Sequence, residues 1–106
     1  MDILERDVEK KFREGMESLD CLVFKFVSPG RAGVPDRLVV MPGGRCLFVE
    51  LKRPGGKLRP LQRFWQDRLM AQGADYFVVD SFEGVEQVMR AVVEESVVRP
   101  YEVHTP

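Results

Sequence analysis

Asp36, Glu50 and Lys52 are the residues of this chain whose types and spacing point to chemistry. Glu50 and Lys52 stand two apart in Val49-Glu50-Leu51-Lys52. In a strand they project from one face while Leu51 points to the other. A carboxylate and an ammonium at the end of an otherwise apolar strand are costly unless they pair or bind something. Asp36 follows Gly33-Val34-Pro35 and opens the strand that a hairpin turn places beside them. Two carboxylates from neighbouring strands, with a backbone carbonyl, supply the oxygen ligands that Mg²⁺ prefers, and waters complete the set. An ion held there would lower the pKa of a water that Lys52 orients for in-line attack on phosphorus. It would also neutralise charge developing on the phosphate oxygens. The chemistry is metal-assisted hydrolysis of a phosphodiester.

The charge distribution agrees. The net charge is only −1, yet between Gly30 and Met70 there are nine basic residues and three acidic ones, Asp36, Glu50 and Asp67. Seven carboxylates precede this stretch and seven follow it. A basic middle around two isolated acids suits a polyanionic substrate. Arg31, Arg53 and Lys57 lie in Gly- and Pro-rich loops beside the acids and are candidates for phosphate contacts. Arg37 could touch a phosphate or pair with a carboxylate.

Seven elements are expected to position these residues. Leu4, Val8, Phe12, Met16 and Leu19 recur every three or four residues, so about 3–19 is an amphipathic helix. Cys21–Val27 is an apolar run of strand length, ended by Ser28-Pro29-Gly30. Arg37–Met41 and Cys46–Leu51 are strands joined by the turn Pro42-Gly43-Gly44-Arg45. They are apolar on both faces, which predicts a sheet covered on both sides. Pro60 fits a first helical turn, though Arg59 stands where a Ser, Thr or Asp cap is expected. Leu61, Phe64, Trp65 and Leu69 give the helix that follows an apolar stripe, expected to be core or interface rather than a base-stacking platform. Tyr76–Val79 is a short strand, and Val85, Val88, Met89, Val92 and Val93 mark a last helix over about 83–97. The order α-β-β-β-α-β-α implies three α/β/α layers around a mixed sheet.

At 106 residues the chain makes one domain, here 1–98, with an aperiodic tail at 99–106. No apolar run approaches membrane-spanning length, and the N-terminus lacks the blocks of a secretory signal. Cys21 and Cys46, without CxxC spacing, are expected to be buried reduced thiols, which suits the cytoplasm. The single histidine, His104, falls in the tail, so no Ser-His-Asp or Cys-His arrangement is credible, and no zinc-ligand spacing exists.

Pro35-Asp36 followed by Glu50-Leu51-Lys52 resembles the PD-(D/E)xK nuclease superfamily. The segments Ser28–Arg37 (SPGRAGVPDR) and Glu50–Leu58 (ELKRPGGKL), with Gln62 after Pro60, are similar to its VRR-NUC (virus-type replication-repair nuclease) branch. The resemblance runs from Glu5 to about Val88. It implies a restriction-endonuclease-like fold and a Mg²⁺- or Mn²⁺-dependent DNA nuclease of replication or repair, in a bacterial or phage-infected cell. It also implies roles. Asp36, Glu50 and the carbonyl of Leu51 would hold the metal, and Lys52 would be the catalytic lysine. Gln62 would support the metal or the attacking water from the helix behind. Glu5, with Glu9 as its rival, would act near the metal, in part through water.

Stand-alone members of this kind resemble Holliday junction resolvases, which implies a homodimer on branched DNA. The last helix, or Phe64 and Trp65, would supply the interface. Two alternatives stay open: a flap or single-strand repair nuclease, and a non-catalytic DNA-binding module that keeps the fold.

Overall fold

The computed structural model describes residues 2–98, so the expected tail and His104 lie outside the described residues. The first helix, α1, spans Glu5–Ser18. It starts because Asp7 Oδ2 accepts the backbone N–H of Leu4 at 2.8 Å, satisfying a donor that the helix cannot. Val8, Phe12 and Met16 are buried along one side, as their spacing requires. The helix ends in a Schellman arrangement, with Cys21 N–H donating to Met16 O at 3.0 Å and Asp20 N–H to Glu17 O at 3.0 Å. That geometry puts Asp20 at φ 62°, a left-handed conformation usually given to glycine.

Strands β1 (Leu22–Lys25), β2 (Arg37–Val40), β3 (Cys46–Leu51) and β4 (Asp75–Val79) form one sheet in that order. β1–β2 and β2–β3 are antiparallel, and β3–β4 is parallel. The turn between β2 and β3 closes through Met41 N–H to Arg45 O and Gly44 N–H to Met41 O, both 2.8 Å. Arg45 then anchors the hairpin to β4, its Nε and Nη2 reaching Asp75 Oδ2 at 2.8 and 2.6 Å. The parallel pair needs a crossover, and α2 (Pro60–Ala71) provides it. Helix α2 ends as α1 does, but here Gly73, at φ 85°, fills the left-handed position. Helix α3 (Phe82–Val98) begins where Ser81 Oγ accepts the N–H of Gly84 at 2.9 Å.

The element order and the mixed sheet with helices on both sides are as the sequence predicts. The covering is uneven. Val39, Leu47, Val49, Leu51 and Val79 lie on one face and are buried with Val8, Phe12, Met16, Val85, Val88 and Val92 from α1 and α3. Gly15 permits a close crossing, since a Cβ there would sit 2.7 Å from Met89 Sδ of α3. The opposite face carries Leu22, Phe24, Leu38, Phe48, Tyr76 and Val78, and α2 lies chiefly against β4 at that side. Leu22 stays 59% and Phe24 49% exposed. One helix cannot span four strands about 5 Å apart, so the β1–β2 half stays open. Cys21 is buried as expected, but Cys46 is exposed, because it starts β3 at the sheet's end. Among the described residues no helix is long and apolar enough to cross a membrane.

Candidate functional site

The site forms where β2 and β3 meet. Arg37 pairs with Val49, so Asp36, one step before β2, falls opposite Glu50. Residues directly opposite in a ladder share a face, which brings the two carboxylates together. Phe26 N–H donates to Asp36 O at 2.9 Å and holds this peptide in the sheet from the β1 side. Asp36 Oδ1 accepts the N–H of Leu51 at 3.1 Å, which fixes its carboxylate against the Leu51 peptide.

Glu50 is 3% exposed, and its Oε1 has no hydrogen-bond partner. Burial, then the nearby Asp36 carboxylate, pushes its pKa up to about 7, against the opposing pull of Lys52; Glu5 adds to the rise. Tyr76 is on the same face of the sheet, and its hydroxyl is also buried without a partner. Its pKa is pushed up to about 12 by burial and by the fields of Glu50 and Asp36. Sequence reasoning missed Tyr76. Only the parallel β3–β4 register, which pairs Phe48 with Tyr76, could have found it.

Lys52 leaves β3 and donates to Gln62 Oε1 at 2.8 Å. The same oxygen accepts the backbone N–H of Arg59 at 2.8 Å. Gln62 therefore substitutes for the missing cap: from the third helical position it satisfies the N–H at the start of α2. Two donors converging on it require the amide oxygen to face them. Gln62 is the one buried residue of α2, and it ties the start of that helix to Lys52.

Gly33 brings the preceding loop onto α2. At φ 86°, a Cβ there would lie 2.7 Å from Leu61 Cγ and 2.8 Å from the Leu61 carbonyl carbon. Beside the carboxylates, Glu5, Arg6, Glu9, Lys25, Arg37 and Leu51 line a hollow of about 280 Å³. Glu5 and Glu9 both face it, and of the two Glu5 is the one whose charge acts on Glu50. Lys25 is a cation that sequence reasoning did not single out; its register opposite Arg37 puts it there. Arg37 is bound to Asp36 itself, through Nη1 to the backbone oxygen at 2.9 Å and to Oδ2 at 3.5 Å. The carboxylate is one of its two expected partners. Arg31, Arg53 and Lys57 are exposed in the flanking loops.

Phe64 and Trp65 are not core residues: Phe64 is 46% exposed, and neither ring belongs to the buried cluster. The inward side of α2 centres on Gln62, with Trp65 and Leu69 half-buried beside it, while Leu61 and Phe64 turn to solvent.

The donor set fits a divalent cation. A buried carboxylate oxygen without a partner, beside a second carboxylate, is an uncompensated concentration of acceptors. Hard oxygen donors of this kind suit Mg²⁺ or Mn²⁺. Among the described residues no three His, Cys, Asp or Glu side chains come together as a metal-binding group. The two acids would need backbone and water oxygens to complete a shell, which Mg²⁺ readily accepts.

Comparison with known proteins agrees with this geometry. The model of the VRR-NUC domain matches residues 6–83, which contain all of these side chains except Glu5, and the chain belongs to that family of nuclease domains. It is 46% identical over 79 residues to the protein named "Putative nuclease p44" of Acyrthosiphon pisum secondary endosymbiont phage 1, across 74% of this chain and 85% of that one. A solved structure described as a VRR_NUC domain superposes with a TM-score of 0.76 at 39% identity, covering 81% of this chain and 94% of the other.

Proposed function

We propose that this nuclease domain, over residues 1–98, is a divalent-metal-dependent endodeoxyribonuclease that cuts branched DNA, above all four-way junctions, as a homodimer. The observation that carries the metal dependence is the buried, unpartnered Oε1 of Glu50 beside Asp36. Asp36, Glu50 and the carbonyl of Leu51 would hold a Mg²⁺ or Mn²⁺ ion, with Glu5 reaching it through water. A cation bound there supplies charge to the phosphoryl oxygens and makes water a better nucleophile near neutral pH.

The remaining work falls to the chain's own side chains. Lys52 has one proton committed to Gln62 Oε1 and two left to orient a water or stabilise a phosphate oxygen. Gln62 keeps the ammonium in place, and Arg37 holds the Asp36 carboxylate. Arg31, Arg53, Lys57 and Lys25 surround this centre with positive charge for the DNA backbone.

Support for the homodimer is the open sheet face, where Leu22, Phe24 and Val78 remain exposed. The apolar side of α3 is unavailable, since Val85, Val88 and Val92 are spent on the chain's own core. A twofold axis through such a face would give two sites for paired cuts.

The test is cleavage of labelled junction, flap, duplex and single-stranded DNA with Mg²⁺, Mn²⁺ or EDTA. Lys52→Ala should lower the rate about 10²- to 10³-fold, the scale of losing one charged donor at a reacting phosphate. Gln62→Ala should cost about 10- to 100-fold, as supporting residues do. Activity that persists in EDTA would overturn the metal dependence. Cuts that are not paired across a junction would remove the junction reading and favour the flap.

A further inference from the structure

The surface of α2 around the exposed Phe64 and the half-buried Trp65 carries an arrangement that neither core nor active centre uses. Phe64 and Trp65 meet edge to face, with ring centroids 5.2 Å apart. The Arg31 guanidinium sits 5.3 Å from the Trp65 ring centroid, and that of Arg68 sits 5.4 Å from the Phe64 centroid. Trp65 Nε1 donates to Ala32 O at 3.0 Å, so the cluster is pinned to the loop that leads into Asp36. Gln62, one turn earlier on the same helix, holds Lys52. The cluster and the active centre are thus tied to the same helix.

We propose that Phe64, Trp65, Arg31 and Arg68 form a platform that holds unpaired nucleotides of the DNA next to the cleavage site. The inference rests on the reading of this chain as a nuclease of branched DNA, and it adds that bases beside the branch point are unpaired and splayed out when the DNA is held for cutting. Bases stack on aromatic rings and guanidinium planes whatever their sequence, while the arginine charges engage the adjoining phosphates. A paired duplex hides its base faces within its own stack, so rings on a convex helix reach only bases that are splayed out. Charge argues for this occupant over a second copy. Arg53, Lys57, Arg59 and Arg63 lie on the same loop and helix, against a single acid, Asp67. A twofold contact through this surface would set its own arginines against themselves.

The chain's single tryptophan is Trp65, so its emission reports on the platform alone. The full chain, in EDTA, is titrated with an end-labelled duplex and with the same duplex carrying a single-stranded arm. Both DNAs should raise label anisotropy, and only the armed one should quench Trp65. Phe64 is half exposed, so Phe64→Ala should fold; it should weaken the armed DNA about tenfold or more and the duplex less than about twofold. Unchanged Trp65 emission on the armed DNA, or equal weakening of both DNAs by Phe64→Ala, overturns the platform. Emission that changes with protein concentration alone, and not with DNA, assigns the cluster to a second copy and also overturns it. The two readings fail differently. If neither DNA binds and none is cut with Mg²⁺, the nuclease reading falls and the platform with it. If DNA is bound and cut while Trp65 stays silent, only the platform falls.

Discussion

The two faces of the sheet are both apolar by sequence, yet they do opposite things. One is sealed by α1 and α3 around Val39, Leu47, Val49, Leu51 and Val79. The other carries Phe24, Leu38, Phe48 and Tyr76, is covered only towards β4, and ends at Asp36, Glu50 and Lys52. Both buried side-chain atoms without partners, Glu50 Oε1 and Tyr76 Oη, belong to this second face. A sealed face yields stability, and a face that must admit a substrate cannot be sealed. The chain therefore accepts uncompensated polar atoms at the candidate site and nowhere else among the described residues.

Truncating one ring on each face should separate these roles most sharply. Phe12 is 1% exposed, and its removal leaves a cavity between α1 and the sheet. Phe12→Ala should cost about 3–5 kcal/mol, or a fall in Tm of roughly 12 °C or more. Phe24, at 49% exposed, already meets solvent in the single chain. Phe24→Ala should cost less than about 1 kcal/mol of intrinsic stability and should instead weaken self-association. Calorimetry paired with light scattering reads both. Equal Tm losses for the two variants would abolish the distinction between the faces.

The same comparison shows what was legible beforehand. The two-residue spacing of Glu50 and Lys52 fixes a shared face in any strand, so their proximity could be read directly. Asp36 needed only the hairpin, which the Pro-Gly-Gly turn announces. What could not be read was how far the covering extends. Periodicity tells which residues of α2 share a side, but not whether anything packs there. A continuous apolar strand likewise says nothing of how many helices are available. Lys25 and Tyr76 were invisible for a third reason: strand register brings them to the site from distant sequence.

Acidity offers a smaller effect confined to the open face. Glu50 ionises at an ordinary 4.5 when unfolded and at about 7 when folded. Below the lower value it is protonated in both states and costs nothing. Between the two, the folded state binds more protons, so stability falls as pH rises, and above about 7 the penalty is complete. Glu50→Gln keeps the shape and cannot ionise. It should raise Tm at pH 8 by the equivalent of about 1–3 kcal/mol and leave it unchanged at pH 4.5. Adding Mg²⁺ at pH 8 should stabilise the native chain and not the variant, a readout independent of cleavage. Parallel pH–Tm curves for the two proteins would mean that Glu50 is not the buried charge described.

Tyr76 should give the smallest effect and the finest test of the open face. Its hydroxyl is buried and bonds to nothing, so it loses water on folding and gains no protein partner. Tyr76→Phe removes the oxygen without changing the ring that fills the space beneath α2. The variant should be as stable as the native chain or more so by about 1 kcal/mol, because deleting an unsatisfied group recovers its desolvation cost. A loss of stability would show that the hydroxyl does have a partner in solution. Unchanged stability with a lower apparent affinity for Mg²⁺ in the same Tm titration would place that partner in the loaded site, where an acceptor or water beside Glu50 would use it. In the core of the sealed face no such dual outcome exists. Every buried side chain there is apolar, and truncating one can only cost.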